Sequence, residues 1–164
     1  MRLIRIVQWS IIFAFAAIYS CSNSSICLSN QHAVQTSFMA AHVDSENDTT
    51  LNGITVHGLN NDSLLHDSAS VQEMYLPMDL NRDTTEFIIQ EELKVGEAII
   101  TTKDTLVFVY DKDLQYVSGD CGMTFNLILD TVIYTTNIVD SVRISYPNVN
   151  YGENLENVKI YIEP

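Results

Sequence analysis

The stretch AIITTKDTLVFVY, residues 98–110, decides the fold. It is built mainly from β-branched, aromatic and small apolar residues, with one charged interruption at Lys103-Asp104. Such side chains lose rotamer freedom in a helix and pack well on a pleated surface. Reading Lys103-Asp104 as a two-residue turn makes Ala98–Thr102 and Thr105–Tyr110 the arms of a hairpin. The second arm is so apolar that it is expected in mid-sheet with both faces covered.

Working outward, the same texture recurs. Thr36–Val43, Gly53–Leu59, Leu64–Asp67, Val71–Leu80 (interrupted by Pro77) and Thr84–Gln90 read as strands on the amino-terminal side. Leu114–Val117, Met123–Leu129, Thr131–Thr135, Ile138–Tyr146 and Val158–Ile162 follow on the other. Asn, Asp and Gly separate them, as at Asn60-Asn61-Asp62 and Ser118-Gly119-Asp120. Glu91-Glu92 reads as a solvated, charged break. No helical period appears between residues 36 and 164. Short strands at roughly 8–12-residue spacing predict an all-β fold, an Ig-like antiparallel β-sandwich of roughly 8–10 short strands.

The first 21 residues differ in kind. In MRLIRIVQWSIIFAFAAIYSC, Arg2 and Arg5 precede an apolar run at Ile11–Ile18. That run is too short to span a bilayer comfortably, which takes roughly 20 apolar residues, and it has the shape of a secretory signal. Its end, Ile18-Tyr19-Ser20-Cys21, resembles a bacterial lipobox, with Tyr19 bulky for its place. A peptidase acting there needs small side chains near the scissile bond, and the new amino-terminal thiol accepts diacylglycerol. The division expected is a lipoprotein signal peptide at 1–20, lipidated Cys21 with a flexible tether to residue 35, and a sandwich domain at 36–164. Ordinary cleavage at Ala14-Phe15-Ala16 and an uncleaved anchor over residues 3–20 are the alternatives. Ser22-Asn23-Ser24-Ser25 lacks the acidic run that marks surface-exported lipoproteins of Bacteroidetes-type bacteria, which favours the periplasmic face of the outer membrane.

The chain carries 8 Lys and Arg against 21 Asp and Glu, a net charge of −13, and both basic residues before Cys21 leave with the signal. So acidic a surface repels nucleic acid and anionic headgroups. A hydrophobic share of 46% is enough for a true core. Three cysteines are present, and lipid on Cys21 leaves Cys27 and Cys121. In an oxidising compartment such a pair often bridges. Two free thiols, or a free Cys27 with a buried Cys121, compete with that reading.

Residues that could carry chemistry do not assemble into motifs. His32, His42, His57 and His66 make no HxH or HExxH pattern, although His42 and His57 could meet across paired strands. Asp111-Lys112-Asp113 and Ser118-Gly119-Asp120 offer oxygens suited to calcium but read more simply as solvated turns. GxSxG is absent. No catalytic residue, metal or cofactor is assigned. Trp9 lies in the expected signal, so the mature domain lacks the Trp platform common in sugar-binding sandwiches but keeps seven tyrosines.

One pattern recurs: Asp followed by Ser or Thr and then a small, apolar or Thr residue. It places Thr49, Ser63, Ser68, Thr84, Thr105, Thr131 and Ser141 in a context resembling the general O-glycosylation sequon of exported Bacteroidetes proteins. The plain alternative is a turn-forming Asp before a strand. Leu76-Pro-Met-Asp-Leu80, Asp104–Tyr110, Cys121-Gly122 and Asn137–Ser141 together resemble an uncharacterised family of small Bacteroidetes lipoproteins, over most of residues 25–146. The resemblance implies an outer-membrane or periplasmic lipoprotein of unknown function, with no catalytic residue to carry over. Cys27 and Cys121 match that family's cysteines. The functional expectation is a non-enzymatic, lipid-anchored envelope module that binds a protein or glycan. A fimbrial or adhesin-like subunit and a glycan-binding sandwich are the alternatives.

Overall fold

The computed structural model describes residues 27, 32–42, 48–59 and 64–163. All regular structure among them is strand. Ten strands follow in chain order: β1 (Ala33–Ala40), β2 (Leu51–Gly58), β3 (Leu64–Val71), β4 (Glu73–Pro77), β5 (Thr84–Val95), β6 (Ala98–Ser118), β7 (Gly122–Tyr134), β8 (Val139–Ile144), β9 (Asn148–Val149) and β10 (Val158–Ile162). They form two sheets, one ordered β4-β1-β10-β8 and one ordered β3-β2-β5-β6-β7-β9. The fold is the expected all-β sandwich. Nearly all pairings are antiparallel, but β1 and β10 run parallel, with Thr36 opposite Val158. β1 begins at Ala33, inside the stretch expected to be tether.

Alternation along the strands builds the core. Val34, Phe38, Ile54, Val56, Met74, Leu76, Ile89, Leu106, Phe108, Leu127, Val158 and Ile160 are all fully or almost fully buried. Phe87 and Phe108 meet edge to face with centroids 6.0 Å apart. On β6 the inward set Leu106, Phe108 and Tyr110 is buried while Thr105, Val107 and Val109 are half-buried. The strand is thus in mid-sheet as expected, with its second face only partly covered.

The predicted turn at Lys103-Asp104 does not exist. β6 runs unbroken through it, with Lys103 opposite Gln90 and Asp104 opposite Ile89. The hairpin closes instead between Val95 and Ala98, where Gly96 has a φ of +65°. Glycine reaches that conformation without the steric cost a Cβ brings. Glu91-Glu92 is not a break either, since β5 continues through it to Val95. Asp111-Lys112-Asp113 lies within β6, so it is strand and not turn. In β7 the expected break at Asp130 is a bulge: Val109 pairs with Thr131 and Tyr110 with Leu129, leaving Asp130 extra. Both Asp130 and Thr131 consequently face outward, between buried Leu129 and Val132.

Two polar devices fix the frame. Asp104 is 1% exposed. Its carboxylate accepts hydrogen bonds from the Thr135 hydroxyl, the Asn137 backbone N–H and side-chain amide, and the backbone N–H groups of Ile138 and Val139. It therefore clamps the turn that carries the chain from β7 in one sheet to β8 in the other. Burial pushes this carboxyl upward, but the Thr135 hydroxyl and the three backbone N–H groups outweigh it, leaving it below the usual carboxylate range. Tyr110 makes the second device. Its buried hydroxyl donates to the Asp79 carbonyl at 2.7 Å and meets Thr85 Oγ1 at 2.7 Å, while Thr85 accepts from the Asp79 N–H.

Candidate functional site

β6 is the structural axis of any functional reading. Its 21 residues span about 70 Å at roughly 3.3 Å per residue, whereas the longest strand of the covering sheet has 8 residues, about 26 Å. The covering sheet therefore shields only the middle of β6. In the same phase, beyond Asp104 and Lys112, Ile100 at one end and Leu114 and Tyr116 at the other are apolar and exposed.

At one end, β5 and β6 leave the body as a two-stranded arm. β2 pairs with β5 only from Ile54–Glu91 to Gly58–Phe87, and β7 joins β6 only from Leu106 onward. Beyond those limits neither edge of the ribbon pairs with another strand among the described residues. Leu93 lies opposite Ile100, and Val95 opposite Ala98, on the face that carries Ile89 into the core. Leu93, Val95 and Ile100 are more than half exposed, as is Ile99 on the reverse face.

At the other end, β6 and β7 form a second arm. Leu114 pairs with Phe125 and Tyr116 with Met123. Leu114, Tyr116 and Met123 are 55%, 62% and 53% exposed. The turn at this tip holds Cys121, which is bridged to Cys27 with an S–S distance of 1.97 Å and a Cα–Cα distance of 5.5 Å. The expected pair is joined, and it ties Cys27, ahead of β1, to the outermost turn of the β6–β7 arm. Ser118 Oγ receives the Cys121 N–H at 3.1 Å, fixing the turn.

Two surface recesses are lined by described residues. A cleft of about 510 Å³ opens between Leu59, Leu65, Met78, Arg82 and Phe87. A smaller recess of about 310 Å³ lies between Gln35, Tyr75, Asn148, Asn150 and Asn154. There the Tyr75 hydroxyl donates to Asn154 Oδ1 at 3.0 Å and the Asn150 amide to Glu153 at 3.0 Å. Buried Asn157 behind it is structural, donating to the carbonyls of Tyr146 and Asn148 and accepting from the Gln35 N–H. Among the described residues neither lining contains His, Cys, Ser or Lys.

The remaining expected sites scatter. Cys21 and Ser63 lie outside the described residues, and Ser68 falls in β3. Thr49, Thr84, Thr105 and Ser141 are half-buried, and Thr131 is exposed at the β7 bulge. Their aspartates do different jobs: Asp104 clamps a turn, Asp83 pairs with Lys112 at 2.9 Å, and Asp130 forms the bulge. His42 and His57 do not converge. His42 follows β1 and approaches Asp140 at 3.3 Å, whereas His57 belongs to β2 of the other sheet and contacts the Gly58 carbonyl. Among the described residues no three His, Cys, Asp or Glu side chains cluster to hold a metal.

Sequence reasoning missed the two arms and the Asp104 clamp. The β5–β6 arm was signalled by Leu93 and Val95 alternating with Glu92 and Lys94 up to Gly96, a strand pattern running through the charged stretch. The clamp had no signal beyond the charged pair Lys103-Asp104 interrupting a run of β-branched and apolar residues.

The class defined by these features is an all-β sandwich pinned by one disulfide and overhung by two apolar arms. A model described as a family of unknown function (DUF6452) matches residues 53–162, or 110 of 164 residues, and the chain belongs to that family. The match leaves out β1 and Cys27. No curated protein and no solved structure matches the chain.

Proposed function

We propose that this chain is a non-enzymatic envelope lipoprotein of a Bacteroidetes-type bacterium, acylated on Cys21 at the periplasmic face of the outer membrane, that grips a protein partner with the β5–β6 arm. The observation that carries this reading is the polarity of β6. One end is bridged to Cys27, six residues after Cys21, and the other ends in a bare apolar ribbon. Disulfides persist in oxidising compartments, which supports export. The anchoring chemistry is sound: each buried methylene of an acyl chain contributes about 0.8 kcal/mol, so two or three chains hold stably. Exposed apolar side chains grouped on a ribbon with two open edges suit an extended segment that adds as a strand.

The test is photo-crosslinking in cells from a reactive side chain at Ile100, with Ser141 as the control position. The expected result is a discrete crosslinked species from Ile100 alone, identified by mass spectrometry. Equal or absent crosslinking at both positions refutes the arm's role. Cys21→Ala should abolish acyl labelling and release the domain in soluble form, and a variant that still labels refutes the anchor.

The open edges also support the fimbrial or adhesin-like alternative, in which copies exchange strands. That reading requires SDS-resistant ladders that vanish on boiling. A glycan-binding reading rests on the amide-rich recess beside Tyr75. It requires that Tyr75→Ala abolish retention on immobilised polysaccharide. If O-glycosylation occurs, exposed Thr131 is the favoured position, and an intact mass equal to lipid plus polypeptide ends that idea.

A further inference from the structure

The β6–β7 arm has a consequence for how the domain meets the membrane. We infer that the exposed face formed by Leu114, Tyr116 and Met123 docks on the lipid surface itself, so that the domain stands on this arm. The inference rests on the proposal that Cys21 is acylated. Six peptide units separate Cys21 from Cys27, a reach of at most about 21 Å. The bridge brings Cys121 to 5.5 Å from Cys27 by Cα distance. Tyr116 and Met123 are paired just inside that turn, and Leu114 lies one pleat further in, about 7 Å along the strand. The first apolar side chains of the domain are thus carried to the bilayer by a tether too short to let the opposite arm reach it while β6 stands upright.

The chemistry of the face agrees. Leu and Met supply apolar area, and Tyr116 combines a ring with a hydroxyl, the combination enriched at membrane–water interfaces. Gln115 and exposed Asp111 and Asp113 alternate onto the reverse face, which also carries Val117 and Ile128 and is the more polar of the two. Those carboxylates, with Asp120 at the tip, select a zwitterionic surface over an anionic one.

Trp9 is the only tryptophan and lies before Cys21, so the cleaved chain has none and a single introduced tryptophan reports alone. The acylated chain carrying Tyr116→Trp is reconstituted into vesicles of phosphatidylethanolamine and phosphatidylcholine bearing a shallow spin label. Acylated Ile99→Trp is the control, and intact mass and flotation establish acylation and binding for each. The expected result is loss of emission from position 116 and none from position 99. In acylated Tyr116→Trp/Cys121→Ser the quenching should disappear while flotation persists. Chains that float but show equal quenching at 116 and 99 overturn the docking inference and leave the anchor standing. Chains that carry no acyl groups overturn the anchor and the inference with it.

Discussion

Replacing Asp104 with alanine removes the acceptor for the turn between β7 and β8. Of the donors it serves, those of Thr135 and Asn137 belong to exposed residues, and water can replace the carboxylate there. Val139 is 1% exposed and Ile138 half-buried, so their N–H groups are left without a ready partner. A buried donor stranded in this way costs about 1–3 kcal/mol, giving about 4 kcal/mol for the two. That is a large share of the roughly 5–15 kcal/mol by which domains are stable. With a urea slope near 2 kcal/mol/M, the midpoint should fall by about 2 M at unchanged slope. Asp104→Asn keeps the size and one acceptor but loses the charge, so it should fall between alanine and the parent.

The pH dependence follows from the lowered carboxyl. Asp104's contribution is complete above the unfolded value near 3.9 and disappears as pH falls through its lower folded value. The parent should therefore lose stability below about pH 4 more steeply than Asp104→Asn. A urea midpoint for Asp104→Ala within about 0.5 M of the parent, or an Asp104→Asn profile as steep as the parent's in acid, would refute the clamp.

Gly96→Val forces a branched residue into a φ of +65° and should destabilise by about 1–2 kcal/mol, read by thermal melting; no change would mean the β5–β6 turn rearranges freely. Tyr110→Phe strips a hydrogen bond from the Asp79 carbonyl and should cost about 1–2 kcal/mol in urea unfolding. Reducing Cys27–Cys121, which spans 94 residues of sequence, should cost at most about 4–5 kcal/mol through the freed unfolded chain, measured by melting with and without reductant. Leu93→Ser with Val95→Ser should change stability by no more than about 0.5 kcal/mol, because both side chains are already exposed, while abolishing the crosslink expected from the reactive side chain at position 100.

The strand-forming character of residues 98–110 was legible because β-branched and aromatic side chains leave little room for another reading. The sandwich followed from the spacing of the turns, and the cysteine pair from the even remainder after Cys21. The lengths of strands were not legible. Lys103-Asp104 looks like a turn to any local rule, yet Asp104 is satisfied by residues about thirty positions away, and no local pattern announces that. Glu91-Glu92 looked like a break because charge was equated with loop, whereas a ribbon projecting past its cover leaves charged residues solvated within a strand. The unpaired apolar faces arise from the mismatch between an 8-residue and a 21-residue strand, a property of two distant segments taken together.

The parallel pairing of β1 with β10 also governs when the protein can fold. β10 sits between β1 and β8, so the four-stranded sheet has no continuous backbone until Val158–Ile162 is in place. A chain synthesised from its amino terminus delivers that strand after the other nine. Its sequence-distant closure makes folding slow relative to local hairpins. The sandwich therefore locks only once β10 is available, and a chain stopped short of residue 158 is left with β1 and β8 unjoined.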